Sequence, residues 1–293
     1  MSRGCLIYAF NNEEIDYITI AREAARRVKL YLGVPVCLVT DSTLRVDEVD
    51  PNREYFDTVI DVWKDNSLKS TAELLNSRNI RQFSDGTLTH KKGNFKNSLR
   101  TKTYELTPYD ETLVIDSDYL LANDILKNCW DQEQDFLIYK EGYDLSGYRQ
   151  HPEFTRVSDY TIDFYWATAF WFRKSELTKT FFDLVDHVRD NWDYYKLVYQ
   201  FASHMYRNDH AFSIALHIMN GYTGEPWAGK MPGRMVFTLD KDVLVGMDDT
   251  GYRVLLEKQN RQGEYTLMKT KDVSVHLMNK FSLHRMLKEQ DNV

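Results

Sequence analysis

The sequence predicts an α/β fold, in which a mixed, mainly parallel sheet is flanked by helices and a small C-terminal region is rich in hairpins. Continuous apolar runs alternate with amphipathic stretches through the first half of the chain, which is typical of a parallel sheet covered by helices. After Pro226 the apolar runs shorten, and turn residues such as Asp249-Thr250-Gly251 separate them. These two observations place the sheet first and the hairpins last.

Four apolar runs in the first half predict strands that are buried on both faces. They are residues 5–10, 36–40, 57–62 and 112–115. Asn11 or Asn12 is expected to cap a helix of regular apolar spacing, and Gly33 is expected to end it. Another helix is predicted over residues 97–106, because Pro108 cannot continue it.

The second half predicts an aromatic strand over residues 166–172 and two helices that begin near Ser175 and Asn208. Short strand candidates follow at residues 235–239, 243–245, 252–256, 265–268 and 273–277, and a short helix ends the chain. No repeat, low-complexity tract or linker composition interrupts these elements. One domain over residues 1–293 is therefore predicted.

Composition narrows the class of function. The 293 residues are 43% hydrophobic with a formal net charge of -7, and an acidic surface disfavours binding to duplex nucleic acid. The odd count of three cysteines, without a CxxC spacing, argues against a disulfide framework or a structural zinc site. No signal peptide and no apolar run of roughly 20 residues is apparent, so a cytoplasmic location is expected.

Two carboxylates, Asp116 and Asp118, directly follow the apolar run at residues 112–115. Side chains at i and i+2 of an extended segment point the same way, so both can face one position. Oxygen ligands of this kind suit Mg²⁺ or Mn²⁺, which leave coordination positions open for substrate phosphates. The pair predicts a metal site at the end of a strand, and a solvated turn is the alternative.

A basic window over residues 86–102 carries five cations and no acid. The cations are Lys91, Lys92, Lys96, Arg100 and Lys102. Binding of a diphosphate, binding of a polyanionic acceptor and a solvated loop all fit this charge. The glycine and asparagine near residues 91–94 are typical of a flap that closes over a substrate.

The stretch from Tyr109 to Leu121, with Asp116-Ser117-Asp118 at its centre, resembles the DxD segment of GT-A glycosyltransferases, especially the family 8 and glycogenin-like group. Segments near residues 8–12 and 275–280 follow in the order of that group. The resemblance implies a Rossmann-like GT-A fold with a nucleotide-sugar-binding half, residues 1–122, and an acceptor-binding half, residues 123–293. It implies nucleoside contacts from Ala9, Phe10, Asn11, Asn12, Asp41 and Ser117.

The resemblance also implies roles for later residues. His276 would be the third metal ligand, and Arg100, Lys102 and Lys280 would bind the diphosphate. A buried histidine bonded to the backbone and a solvated lysine are the alternatives for His276 and Lys280. Asp209 would act as the catalytic base or as electrostatic support. Asp159 and Asp163 are rivals for that role, and a helix-capping aspartate is the plain alternative.

Two segments depart from the family pattern. Trp166-Ala167-Thr168 stands where the family has Asn-Ala-Gly, and His210 stands where it has Gln after Asp209. An aromatic cluster surrounds the first of these. Its rings are expected to lie mostly in the core, and stacking of at least one ring on a sugar or a base is the alternative. The cluster is Tyr160, Phe164, Tyr165, Trp166, Phe170 and Trp171.

The function predicted from these features is metal-dependent transfer of a hexosyl or pentosyl group from a nucleoside diphosphate sugar, with UDP favoured, to an acceptor hydroxyl. A glycan or small molecule is the first acceptor class. A phage-type enzyme acting on hydroxymethylated bases in DNA, located in the host cytoplasm, is one alternative. A sugar nucleotidyltransferase is another, although it usually has a glycine-rich segment where this chain has Phe10-Asn11-Asn12. A binding module without catalysis is the last.

Overall fold

The computed structural model describes residues 1–64, 80–94, 96, 98–158, 162–201, 206–222 and 226–291. Its strands are β1 Arg3–Ala9, β2 Val36–Thr40, β3 Thr58–Asp61, β4 Ile80–Asp85, β5 Thr89–Asn94, β6 Glu111–Asp116, β7 Tyr119–Leu120, β8 Phe136–Tyr139, β9 Gly142–Asp144, β10 Trp166–Arg173, β11 Gly229–Lys230, β12 Met235–Phe237, β13 Val243–Met247, β14 Tyr252–Glu257, β15 Tyr265–Lys269 and β16 Val275–His276. Its α-helices are α1 Tyr17–Leu32, α2 Thr43–Val49, α3 Thr103–Leu106, α4 Glu176–Asp190, α5 Trp192–Val198, α6 Asn208–Met219 and α7 Lys280–Asp291. Three 3₁₀ helices lie at Ser98–Lys102, Ile125–Asp131 and Pro152–Phe154.

The main sheet has seven strands in the order β11-β8-β10-β6-β1-β2-β3. Its strands pair in parallel except β10, which runs antiparallel to both β6 and β8. The predicted α/β class with a mixed, mainly parallel sheet is therefore confirmed. Within the described residues, no helix combines the length and apolarity that crossing a membrane requires.

The alternating side chains of β1 explain why its sequence is apolar throughout. Cys5 and Ile7 pack into one core with α1, while Leu6 and Tyr8 pack into a second core with α4 and α6. Helices cover both faces of the sheet, so neither set of side chains meets water. Packing on both faces therefore holds β1 firmly up to its carboxyl end.

The first helix begins later than the sequence predicts. Asp16 caps α1, accepting hydrogen bonds from the amides of Ile18 and Thr19, so the prediction of an Asn11 or Asn12 cap at the helix start is wrong. Asn11 supports this cap, because its Oδ1 also accepts a hydrogen bond of 3.1 Å from the Ile18 amide, whereas Asn12 fixes the preceding loop by accepting hydrogen bonds from two following amides. Gly33 ends the helix in the left-handed conformation, φ 68°, as predicted.

Three smaller sheets complete the fold. One has four strands in the order β7-β16-β12-β9, and another is the antiparallel set β13-β14-β15 of the predicted hairpin-rich region. The buried guanidinium of Arg27 fastens that region to α1, because it donates to the carbonyls of Leu121, Asp248 and Asp249. The C-terminal hairpins are thereby attached to the segment that follows Asp118.

The first part of the basic window, for which a flap is predicted, forms the turn and the second strand of a hairpin of β4 and β5. Gly86 adopts a positive φ of 73° in its turn. Arg285 of α7 bonds Asp85 of the hairpin at 2.5 and 3.0 Å. The helix predicted over residues 97–106 is a 3₁₀ segment followed by the short α3, with residue 97 outside the described residues.

Candidate active site

The carboxyl ends of β1 and β6 lie side by side in the sheet, and the two predicted metal-ligating carboxylates lie there. Asp116 is the last residue of β6, and its register partner on β1 is Tyr8. The Asp118 side chain is only 4% exposed, and that of Asp116 is 24% exposed. The buried apolar side chains of β6 hold both carboxylates on a rigid support.

His276 reaches the same position from the end of the chain. It lies on β16, whose antiparallel pairing with β7 aligns it with Tyr119, and the Leu277 amide donates to the Asp118 carbonyl at 2.9 Å. Its Nε2 lies 3.3 Å from Asp118 Oδ2. The potential ligand atoms of Asp116, Asp118 and His276 all lie within 4.8 Å of one another. The structure thus brings the three predicted ligands together.

Two buried cations flank the carboxylates. Lys280 Nζ lies 2.5 Å from Asp118 Oδ2. The Arg100 guanidinium, only 1% exposed, donates to Asp116 and to the Ala167 carbonyl. Both were predicted to bind diphosphate, and both line the cavity that contains the carboxylates. Fixed cations at this position can stabilise phosphate charge.

The two carboxylates differ in their electrostatic surroundings. Burial by itself favours the protonated form of Asp118, but the charges of Lys280 and His276 outweigh it and hold the Asp118 pKa well below its usual range. Burial raises the pKa of Asp116, while Arg100 opposes that rise and Asp118 adds to it. Asp118 is consequently the carboxylate that stays ionised over the wider pH range.

The donor set fits a divalent cation. Two carboxylates and one imidazole are ligands that Mn²⁺ and Mg²⁺ accept, with imidazole favouring Mn²⁺. The His276 Nδ1 atom is buried without a hydrogen-bond partner among the described residues, so Asp118 is the contact that orients the ring. These residues would supply three ligands and leave further positions for water or phosphate oxygens.

The cavity around these groups has a volume of about 220 Å³. Among the described residues it is lined by Tyr8, Phe10, Tyr17, Arg81, Lys96, Arg100, Asp116, Ser117, Asp118, Phe154, Trp166, Ala167, Thr168, Tyr206, Arg207, Asn208, Asp209, His276, Met278 and Lys280. Five of these carry a positive guanidinium or ammonium group and three carry a carboxylate. A cationic cavity in a chain of net charge -7 fits an anionic ligand.

The predicted catalytic residue Asp209 lines the cavity at the start of α6. Its Oδ1 accepts a hydrogen bond of 3.0 Å from the Ala167 amide, and its Oδ2 lies 3.0 Å from Arg207 Nη2. The register of β10 against β8 shifts between Trp166 and Phe170, which leaves the Ala167 backbone available to side chains. Of its rivals, Asp163 pairs with Lys140 away from the cavity, and Asp159 lies outside the described residues.

The predicted nucleoside-binding residues are brought together only in part. Phe10 and Ser117 line the cavity, whereas Ala9, Asn11 and Asn12 do not. Asp41 contributes indirectly, since its carboxylate lies 2.8 Å from the ammonium of Lys96, which does line the cavity. The two asparagines are absent because the Asn11 side chain bonds Asp16 and the Ile18 amide at the start of α1, and the Asn12 side chain bonds the loop.

Lys102 does not reach the cavity, so its predicted contact with diphosphate is not supported. Its ammonium pairs with Asp186 on α4, because the 3₁₀ segment turns its side chain away from that of Arg100. Four of the five cations of the basic window are held in ion pairs, Lys91 with Glu14 and Lys96 with Asp41 among them. The window is therefore not a free basic surface.

Several cavity residues carry no recognisable pattern in the sequence. Tyr206 and Arg207 approach from the segment before α6, and Arg81 approaches from the unpredicted strand β4. Tyr17 begins α1, and its buried hydroxyl has no hydrogen-bond partner among the described residues. The aromatic cluster contributes Trp166 to the lining, whereas its member Tyr160 lies outside the described residues.

His210, the departure from the family pattern, faces away from the cavity. Its ring stacks against Phe201 and Trp192, with centroid distances of 4.5 and 6.2 Å. Burial, with a smaller contribution from Arg207, lowers the pKa of His210 to about 3. This histidine is a neutral core residue.

A loss of stability in acid is expected from His210. Its folded pKa of about 3 lies below the ~6.5 of an unfolded histidine, so the unfolded chain binds the proton first as the pH falls. Stability is fully present above about pH 6.5 and declines toward about pH 3. Urea unfolding should show that the native chain loses about 2 kcal/mol more than His210→Phe between about pH 7.5 and about pH 5. His187 is exposed, so His187→Phe should lose as much stability on acidification as the native chain does. If His210→Phe also lost as much as the native chain, the prediction would be contradicted.

No family model and no curated protein matches the sequence. Solved structures that resemble the chain include the galactosyltransferase LgtC in complex with donor and acceptor sugar analogs, at 14% identity, 73% of this chain, 70% of that chain and a TM-score of 0.41. Mouse xyloside xylosyltransferase 1 is similar at 13% identity over 75% of this chain and 83% of that chain, with a TM-score of 0.42. A Bacillus anthracis protein assigned as a glucose-1-phosphate thymidylyltransferase is similar at 8% identity over 100% of this chain and 96% of that chain, with a TM-score of 0.44. Glycosyltransferases thus stand among the solved structures that this fold resembles.

Proposed function

We propose that the chain is a metal-dependent glycosyltransferase of the family 8 type, which moves a hexosyl or pentosyl group from a UDP-sugar to an acceptor hydroxyl. The observation that carries the proposal is the meeting of Asp116, Asp118 and His276 within 4.8 Å, in a cavity that Arg100 and Lys280 also line. Carboxylates for a divalent cation, next to cations for phosphate, are what a nucleoside diphosphate requires. Residues 1–122 would supply most of the donor contacts, joined by His276 and Lys280, and the rest of residues 123–293 would bind the acceptor.

In the reaction, the acceptor oxygen bonds to the anomeric carbon, the bond from that carbon to the diphosphate breaks with its electron pair going to the diphosphate oxygen, and the acceptor proton passes to the departing diphosphate. A divalent cation held by Asp116, Asp118 and His276 would neutralise charge on the departing diphosphate. Arg100 and Lys280 hold positive charge beside the same position. Because the protein fixes these charges in advance, little reorganisation is needed as negative charge develops.

Asp209 is proposed to support positive charge at the anomeric carbon. Each of its carboxylate oxygens already accepts a hydrogen bond, one from the Ala167 amide and one from Arg207. Such a carboxylate is held in a fixed position and is poorly placed to take a proton, so the electrostatic role is favoured over that of the base. Tyr8 and Phe10, at the end of β1, provide ring faces for the nucleoside base.

The test is a thermal-shift screen of nucleoside diphosphate sugars with and without Mn²⁺. UDP-sugars are expected to raise the melting temperature by several degrees only when Mn²⁺ or Mg²⁺ is present, since ligands that bind the folded state stabilise it. Product analysis then separates the enzyme classes. A glycosyltransferase releases a nucleoside diphosphate, whereas a sugar nucleotidyltransferase would release pyrophosphate. Equal shifts with and without metal would overturn the proposal.

No described feature favours DNA as the acceptor. The basic window that raised this alternative is largely paired with acids, and the net charge is -7. Binding to an oligonucleotide that carries hydroxymethylated bases, with affinity falling steeply as salt rises, would revive it. A cytoplasmic location stays a prediction.

A further inference from the structure

A second cavity adjoins the first and has no role in the donor site. Its volume is about 380 Å³, and its lining includes Asp144, Gln150, His151, Phe154 and Phe237. Phe154 lines both cavities. The two spaces therefore meet at one aromatic ring.

The four-stranded sheet connects the second cavity directly with the metal-ligating histidine. His276 on β16 is aligned with Phe237 on β12, and Phe237 is aligned with Asp144 on β9. Aligned residues of neighbouring strands lie on the same face, and the strands are about 4.8 Å apart, so Asp144 lies about 10 Å from His276. That separation is about the span of two linked sugar residues, which leaves room for a donor sugar beside the metal ligands and an acceptor sugar beyond it.

Aromatic rings form the boundary between the cavities. Phe154 lies 4.9 Å from Trp166 and 5.2 Å from Phe237, measured between ring centroids, and His151 lies 5.7 Å from Phe154. The two phenylalanines offer apolar surface beside polar groups. A sugar ring has the matching chemistry, since one face presents C–H groups and its rim presents hydroxyls.

The polar side of the second cavity is built rigidly. Arg149 is buried between two carboxylates, with its Nε 3.0 Å from Asp144 and its Nη1 and Nη2 2.7 Å from Asp242. Asp144 Oδ2 also lies 3.1 Å from His151 Nε2. Because the arginine holds Asp144 and Asp144 holds His151, the cavity is organised before any ligand arrives.

We propose that this second cavity, formed around Phe154, His151 and the Asp144–Arg149 pair, binds a sugar residue of the acceptor, which makes the acceptor a saccharide. The inference rests on the proposed glycosyl transfer, because the first cavity must hold the donor for the second to hold the acceptor. The acceptor hydroxyl would then enter the first cavity past Phe154. A sugar ring accounts for the apolar and polar groups of this lining, so a nucleobase or a peptide is not needed to explain them.

Saturation-transfer NMR with glucose, galactose, lactose and maltose tests the proposal, with UDP and Mg²⁺ present because Mn²⁺ would broaden the signals. At least one saccharide is expected to bind the full chain. Phe154→Ala and His151→Ala should each weaken that binding about tenfold, since each removes one recognising group. Tyr148→Ala is the matched control: this exposed aromatic residue belongs to the same segment and lines neither cavity, so binding should change less than about twofold.

Absence of saccharide binding would overturn the proposal, as would equal binding by the native chain and both cavity variants, each shown to be folded by its melting temperature. Binding of a hydroxymethylated oligonucleotide in place of the saccharides would also overturn it. Thermal protection by UDP with Mn²⁺, measured on the same samples, separates the two ideas. Protection without saccharide binding removes only the acceptor subsite. Saccharide binding without that protection removes the proposed glycosyl transfer, and with it the role of the sugar as acceptor, and leaves only a saccharide-binding cavity.

Discussion

Changing Asp118 to asparagine is expected to lower metal-dependent transfer by at least about 100-fold, because outer-sphere changes alone cost 10–100-fold and Asp118 is a proposed ligand itself. The substitution keeps the shape of the side chain and removes its charge. It also leaves Lys280, which lies 2.5 Å away, facing a neutral group in a buried position. Metal affinity measured by calorimetry and turnover of a UDP-sugar with Mn²⁺ should fall together.

The matched control for this prediction is Asp124→Asn. Asp124 follows β7, is 66% exposed and does not line the cavity. Its loss should change turnover and metal affinity by less than about twofold. A folded Asp118→Asn variant with native metal affinity would show that the carboxylate does not hold the cation. A folded double variant, Asp116→Ala with Asp118→Ala, that still hydrolyses UDP-sugars with full metal dependence would refute the site altogether.

Replacing Arg100 by methionine is expected to reduce the free energy of unfolding by about 3–5 kcal/mol, which is the usual effect of breaking a buried ion pair by removing one partner. The guanidinium is fully buried and is bonded both to Asp116 and to the Ala167 carbonyl. Methionine fills a similar volume but donates to neither group. Urea unfolding without metal measures the loss directly.

Adding Mn²⁺ should restore more stability to Arg100→Met than to the native chain, since a cation on Asp116 would replace the missing positive charge. Arg3→Met is the control, because Arg3 forms a half-exposed ion pair with Glu111 on the same sheet. The Arg3 side chain is half exposed, and the buried carboxylate of Glu111 keeps a second cation, Arg173, at 3.0 Å, so the effect should stay within about 1 kcal/mol. Equal losses of unfolding free energy in Arg100→Met and Arg3→Met would contradict the prediction that the Arg100–Asp116 pair is the more stabilising of the two.

The local sequence pattern predicted some residues of the candidate site and not others. Asp116 and Asp118 were predictable because a buried strand and two acids are adjacent in the sequence. The pairing of Lys280 with Asp118 joins residues 162 positions apart, and the resemblance to a known family indicated only that Lys280 would lie at the diphosphate. Lys102 and Arg100 are alike in sequence, yet one faces α4 and the other the cavity. The direction of a side chain on a short 3₁₀ segment depends on what packs around it, which composition cannot report.

The sequence by itself determined the class of the fold, because apolar runs of strand length must be buried wherever they occur and the helices between them must cover the sheet. It likewise determined that oxygen ligands follow the strand at residues 112–115. Only the tertiary structure decided that His276 completes the set, that Asn12 bonds the loop rather than lines the cavity, and that Phe154 joins two cavities. These outcomes depend on contacts between distant segments, and their free energies arise only once the chain has folded.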